Sequence, residues 1–553
     1  MRRSPRDPVS AHRTRERGGL GREYVRGWAS TDDLSRKASL NGVAAILDYL
    51  ARVAVQFLIN PLLVRGLGTV VFGAWRVLWQ LGGYLWATSG RSAQALQWVL
   101  SSQQRSKDVE RKRQYVASAV LIWALFLPVL AFIGGLIAWF APVFMDVPET
   151  DVSSLRLAGV LLTLDALALT LLTIPRAVLQ GQNLGYKRMG LSALLILFGG
   201  VLMALAVVGD RGVVGVALAN LVTTVMTGVL FWSVAKRQVS WFGLTRPAKD
   251  VTRRLLGLSG WFMAWKLVYE FMLAADVVVL GFFVSVELVT DYTLTKAIPE
   301  ALIVYFTLNV LQGTGPGLAG IIGQGDLVRG VKVRNEIMVI TWLAATVVGA
   351  TVLVWNRSFI GLWVGGSLYA GGLATLLIVV LAMQFLFISN DARVIDMTLN
   401  VRTKVLTGAI AAAASFALAL ILVRRVENQI VGMCLGLILG RSIMSIAYPV
   451  LAGRVLGQSF GRQLRGAVRP AMVTALAFGS CLAIGARVLT ESWIELLALG
   501  SGTAAALGLL CAVLGLTAAQ RRSLLHRVTK TVGGPRRGRP SSEKGQPING
   551  GRP

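Results

Sequence analysis

From residue 39 to residue 518 the chain alternates between long apolar runs and short polar stretches. A bilayer's hydrocarbon core needs about 20 apolar residues per helix. On that measure the pattern predicts fourteen spans: 39–64, 70–99, 115–140, 157–175, 189–208, 213–235, 257–280, 289–314, 336–355, 371–390, 405–423, 430–452, 470–486 and 495–518. Residues 1–38 hold no apolar run long enough for a signal peptide, carry ten Lys/Arg and five acids, and read as a disordered basic tail. Residues 519–553, ending in GGPRRGRPSSEKGQPINGGRP, read as a second one.

The polar stretches set the orientation. With the N-terminus inside, 43 Lys/Arg fall on cytosolic segments and 7 on outside ones, a strong positive-inside bias. It puts both termini in the cytosol of a multi-pass protein of the plasma (inner) membrane. Composition agrees: 54% of residues are hydrophobic and 15% charged, against about 25% charged in soluble proteins. A formal charge of +29 on so apolar a chain fits basic residues crowded on one membrane face and excludes a nucleic-acid-binding protein. Cys434, Cys481 and Cys511 lie in apolar runs and read as packing residues.

The chemistry of an enzyme is missing. The sequence has no GxxxxGK[ST] phosphate loop for an ATPase, no HExxH and no paired-cysteine zinc spacing. Its only histidines, His12 and His526, lie in the tails. No catalytic residue, metal site or cofactor is expected. Asp146, Glu149 and Asp151 around Pro148 read as a solvated turn. The chain moves something rather than transforming it.

Ionisable residues inside spans are costly and mark function by default. Eleven stand out: Arg52, Arg76, Arg91, Lys266, Lys296 and Arg441 against Asp48, Asp165, Glu270, Asp276 and Glu300. Asp48/Arg52, Lys266/Glu270 and Lys296/Glu300 have i,i+4 spacing, which puts each pair on one helix face. Aligning Trp75 with Tyr292 carries Asp48 and Arg52 to 265 and 269, one residue short of Lys266 and Glu270. This predicts two six-span pseudo-repeats with the substrate site at their interface. Arg76 has no acidic partner at helical spacing, and an unpaired guanidinium suits a diphosphate or carboxylate. The net basic interior favours an anionic substrate. Asp276 is expected to face water alone, as a counter-ion, cation site or capping group.

Four stretches carry a family likeness: NPLLVRGLGTVVFGAWRVLWQLGGYL at 60–85, IPRAVLQGQNLGYKRM at 174–189, AADVVVLGFFVSVELVTDYTLTKAIPE at 274–300 and FIGLWVGGSLYAGG at 359–372. In order and position they resemble the polysaccharide transporter family of O-antigen and exopolysaccharide flippases, in the multidrug/oligosaccharidyl-lipid/polysaccharide exporter superfamily. The resemblance implies an all-α polytopic membrane protein of about 14 transmembrane helices. An N-lobe (39–254, spans 1–6) and a C-lobe (255–452, spans 7–12) would alternate access to a central cavity, with spans 13–14 at 453–518 appended. It implies passage of an undecaprenyl-diphosphate-linked oligosaccharide from the inner to the outer leaflet, with glycan polymerase and glycosyltransferases as partners. Arg52, Arg76, Lys266 and Lys296 are the cavity candidates for substrate binding, and Asp48, Glu270, Asp276 and Glu300 the coupling or charge-pair candidates. A multidrug/cation antiporter and a non-transporting scaffold of a glycan synthesis complex are the alternatives.

Overall fold

The computed structural model describes residues 13–103, 106–188, 190–306, 318, 326–396, 401–518 and 520–522, with side chains from Ile46 onward, and among these there is no strand. Among the described residues fifteen α-helices follow one another: α1 Arg13–Ala87, α2 Ser92–Ser102, α3 Val109–Phe144, α4 Glu149–Leu172, α5 Ile174–Gly181, α6 Leu191–Val208, α7 Gly212–Gln238, α8 Lys249–Phe283, α9 Val286–Pro299, α10 Leu327–Trp363, α11 Gly372–Asp396, α12 Val401–Val423, α13 Gln429–Leu456, α14 Phe460–Gly485 and α15 Trp493–Leu510. A 3₁₀ turn at Gly185–Arg188 precedes α6, and a π-helical turn at Glu300–Phe306 follows α9.

Eleven described helical segments are long and apolar enough to cross a membrane. One of them, Ile46–Ala87, is 42 residues long and takes in most of the first two expected spans, 39–64 and 70–99, on either side of a break at Gly68; the second expected span runs past its end, through a turn at 88–91, into α2. There the backbone turns to φ 78°, ψ 166°, a conformation open to glycine and strained for other residues. Two expected spans lie outside the eleven. Span 257–280 sits in α8 with Lys266, Glu270 and Asp276 in its apolar stretch, and span 289–314 runs beyond the described residues after Phe306.

The expected disorder of 1–38 is not what the structure shows from Arg13 onward. That segment is helix, continuous with α1. No proline interrupts the chain between Pro8 and Pro61, and its many Arg, Leu, Ala and Glu residues favour helix. Of the second expected tail, residues 519 and 523–553 lie outside the described residues.

The first half of the bundle packs α1 against α4 and α6, and α4 against α3 and α7; the second packs α13 against α11 and α12, and α12 against α8. The last two helices, α14 and α15, lie on α10. The halves meet firmly at one end of the bundle, where α1 turns at Gly68 and α8 hands over to α9. Gly73 lies so close to α9 that a Cβ there would stand 1.9 Å from the Val286 carbonyl oxygen. Thr290 donates its hydroxyl to the Thr69 carbonyl at 2.6 Å. Beside them the Phe57 ring stacks on Trp363 (5.5 Å, 17°) and meets Phe359 and Trp493, so α1, α10 and α15 share one aromatic cluster. The Trp363 indole N–H donates to the Phe57 carbonyl at 2.7 Å.

Candidate functional site

Away from that closed end the halves part around a cavity of about 900 Å³. The break at Gly68 folds α1 back on itself, and this is why Asp48 and Arg52 before it and Arg76 after it reach the same space. Arg176 comes from α5, Arg188 from the 3₁₀ turn, Lys266 and Glu270 from α8, Lys296 from α9, and Glu300 from the π-helical turn. The wall therefore holds six cationic side chains against three carboxylates. Gln56, Gln80, Gln97, Gln180, Tyr49 and Tyr269 add neutral polar groups.

Arg52, Arg76, Lys266 and Lys296 all stand on this wall, together with Asp48, Glu270 and Glu300. The pairing differs from the spacing-based expectation in two of three cases. Asp48 binds Arg188 at 3.1 Å, not Arg52, and Ser192 accepts from the same guanidinium nitrogen at 3.2 Å. Asp48 is 5% exposed and Arg188 7%. A buried cation from another element takes a carboxylate more strongly than an exposed neighbour one helical turn away, whose pairing adds only about 0.2–0.5 kcal/mol. Arg52 is left exposed and makes no ion pair among the described residues. Lys296 pairs with Asp276, at 2.6 Å, rather than with Glu300. The pair Lys266–Glu270 does form, with the ammonium over the rings of Trp86 and Tyr269.

Asp276 does not face water alone. It is 3% exposed and lies behind the cavity wall. Tyr292 and Lys296 each donate to its Oδ2 at 2.6 Å, and the Val277 N–H donates to its Oδ1 at 2.8 Å. Buried carboxylates need such saturation. Arg441, equally buried, lines the same small space and donates to the Met272 carbonyl. Arg91 donates to Gln94 Oε1 at 2.7 Å and lies 4.3 Å over the Trp86 ring. Asp165 is buried between α4 and α7, outside the cavity wall.

Arg176 and Arg188 were missed by sequence reasoning, because hydropathy assigned 176–188 to a turn outside the spans. The signal was in the stretch itself, where an apolar IPRAVLQG runs into the glycine- and asparagine-rich GQNLGYKR. The first piece forms the short helix α5, the second turns at Asn183 (φ 56°), and the hairpin folds under the bundle. Arg76 and Arg176 are partly buried and, like Arg52, make no ion pair among the described residues.

Residues 39–311 match the model of the family described as polysaccharide biosynthesis protein. No curated protein sequence matches the chain. Among solved structures, the lipid II flippase MurJ in an inward closed conformation is similar at TM-score 0.63 and 11% identity, over 88% of this chain and 99% of that one. A multidrug resistance MATE family transporter of the MOP superfamily is similar in an outward-facing conformation at TM-score 0.52 and 14% identity, over 77% of this chain and 96% of that one. An inward-facing conformation of such a transporter reaches TM-score 0.51 at 12% identity, over 75% and 98% of the two chains. Residues 39–311 thus match the polysaccharide biosynthesis protein family model, and the chain shares its fold with the lipid II flippase and MATE transporter structures.

Proposed function

We propose that this protein is a flippase that carries a lipid-linked (undecaprenyl-diphosphate) oligosaccharide from the inner to the outer leaflet by alternating access, for cell-surface polysaccharide biosynthesis. One observation carries the reading: the cavity of about 900 Å³ has six cationic side chains against three carboxylates on its wall. That volume lies near the top of the range of roughly 300–1,000 Å³ for small-molecule sites, enough for a diphosphate with its first sugars while the polyprenyl chain stays in the bilayer. Guanidinium groups hold phosphate oxygens in bidentate fashion. Arg52, Arg76 and Arg176 are the groups with no competing ion pair, whereas Arg188 and Lys296 are already held by Asp48 and Asp276.

The cavity lies toward the end of the bundle that carries Lys107, Arg111, Lys112, Arg113, Lys249, Arg253 and Arg254. The positive-inside rule makes that end cytosolic. With both termini on the same side, the state described here faces the cytosol and is shut toward the outside. The lobes 39–254 and 255–452 would rock about the closed end, with glycosyltransferases supplying the cargo and a polymerase consuming it. The test is reconstitution in liposomes with a fluorescent lipid-linked oligosaccharide, reading protein-dependent loss of probe from the inner leaflet. Failure with every lipid-linked saccharide offered would overturn the reading.

A second reading, a multidrug/cation antiporter, is favoured by the fold shared with MATE transporters and by Asp48, Glu270 and Glu300 on the wall. It predicts gradient-driven export of cationic dyes from the same liposomes. A scaffold of a glycan synthesis complex would move neither probe.

A further inference from the structure

A second cavity, of about 390 Å³, opens on the flank of the C-terminal half between α10, α11, α13 and α14. It shares no lining residue with the central cavity. Its floor is apolar, built around the closely packed rings of Trp342 and Phe387, 4.5 Å apart, and the Trp342 N–H is satisfied by Thr474 at 2.9 Å. At one end the buried ion pair Arg334–Asp391 closes it.

Its mouth is marked by α14. Phe460, Leu464, Val468, Met472 and Leu476 form an i,i+4 row on that helix and are 38%, 56%, 49%, 56% and 72% exposed. Phe460 and Leu464 belong at once to this row and to the cavity wall. A row of this kind on a membrane helix faces acyl chains, so the cavity opens sideways into lipid. Arg462 lines the cavity, and Arg465, one turn further along α14 and outside the lining, stands near it; both are exposed and without an ion pair among the described residues. Every wall element reaches the cavity with the terminus that lies at the basic end of the bundle. An apolar slot open to acyl chains, with two free guanidinium groups at headgroup depth, is complementary to one kind of ligand: an amphiphile with an apolar chain and an anionic phosphate.

We infer that this groove is a binding site for an anionic phospholipid, whose phosphate is held by Arg462 and Arg465 and one of whose acyl chains lies past Leu464 against Trp342 and Phe387. The site is independent of the cargo assigned to the central cavity. A basic residue near an anionic headgroup adds about 1 kcal/mol, equivalent to about five-fold in affinity.

The experiment is native mass spectrometry of the delipidated full-length protein titrated with dioleoylphosphatidylglycerol, with glycerol phosphate as the chainless control. The wild type should retain the lipid and not the control. Arg462→Gln and Arg465→Gln, on the surface and neutral for folding, should each weaken retention about five-fold. Ala467→Trp, which fills the groove, should abolish it, while Arg76→Ala in the central cavity should leave it unchanged. Unaltered retention in both arginine variants would overturn the assignment, as would loss in Arg76→Ala. Preferential retention of a polyprenyl phosphate over phosphatidylglycerol would overturn it too, and would make the groove a seat for the cargo's own chain.

Discussion

Replacing Asp48 by alanine is expected to destabilise the protein far more than replacing Arg52. Asp48 and Arg188 lie 3.1 Å apart with side chains 7% and 8% exposed. At an effective dielectric of 20 their attraction is about 5 kcal/mol. Removing one member of a buried pair leaves the other charge uncompensated and costs about 3–5 kcal/mol. Arg188 borders the cavity and retains Ser192, so the lower value, about 3 kcal/mol, applies to Asp48→Ala. Replacing both by leucine removes the stranded charge and should bring stability back to within about 1–2 kcal/mol of wild type. The assay is reversible unfolding in mixed micelles, arranged as two double-mutant cycles. Asp48 should couple to Arg188 and not measurably to Arg52. A cycle in which Asp48 couples to Arg52, or an Asp48→Ala variant as stable as wild type, would refute this account of how the cavity wall is held.

Four further outcomes are expected. Arg76→Ala should express like wild type, because its guanidinium borders an open cavity, yet lose substrate affinity in the liposome assay; Arg76→Lys should restore it only in part, since the bidentate fork is gone. Gly73→Val should push the closed end apart, because a Cβ there meets the Val286 carbonyl at 1.9 Å; thiol labelling of Thr290→Cys from outside should rise. Asp276→Asn should lower folded yield by leaving Lys296 and Arg441 buried without their carboxylate, and adding Lys296→Met should recover part of it. Tags at residues 245 and 365 should report cytosol and outside respectively in a permeabilisation assay.

Much of the helix framework was legible because bilayer thickness writes itself into run length: α3, α7, α8, α10, α12 and α13 each contain a predicted span, and α6 and α11 start within two residues of theirs. The cavity-facing charges were legible too, since a lone ionisable group in an apolar run has few places to go. Their partners were not. Spacing sees only neighbours on the same helix, so it offered Arg52 to Asp48 and Glu300 to Lys296, whereas the chosen partners lie 140 and 20 residues away. Arg176 and Arg188 escaped for a related reason. Hydropathy separates spans from loops, but a loop hairpin that tucks beneath the bundle contributes to the interior without being apolar.

The closed end of the bundle bears on how the membrane potential is distributed. Ala74, Val77, Val279, Leu280, Val286, Val289 and Tyr292 are all 3% exposed or less, so the seal between the halves is a dry plug with an electrolyte-accessible cavity beneath it. Voltage does not fall evenly across such a protein. It concentrates over the insulating layer, as low-dielectric walls focus field lines elsewhere. The ion pair Lys296–Asp276 stands where the cavity meets that layer, with Lys296 on the wet side and Asp276 behind it. A charge crossing the full potential changes energy by about 2.3 kcal/mol per 100 mV. Because the drop is compressed into the plug, a short movement of the Lys296 ammonium relative to the buried Asp276 and Arg441 would sense a large share of it.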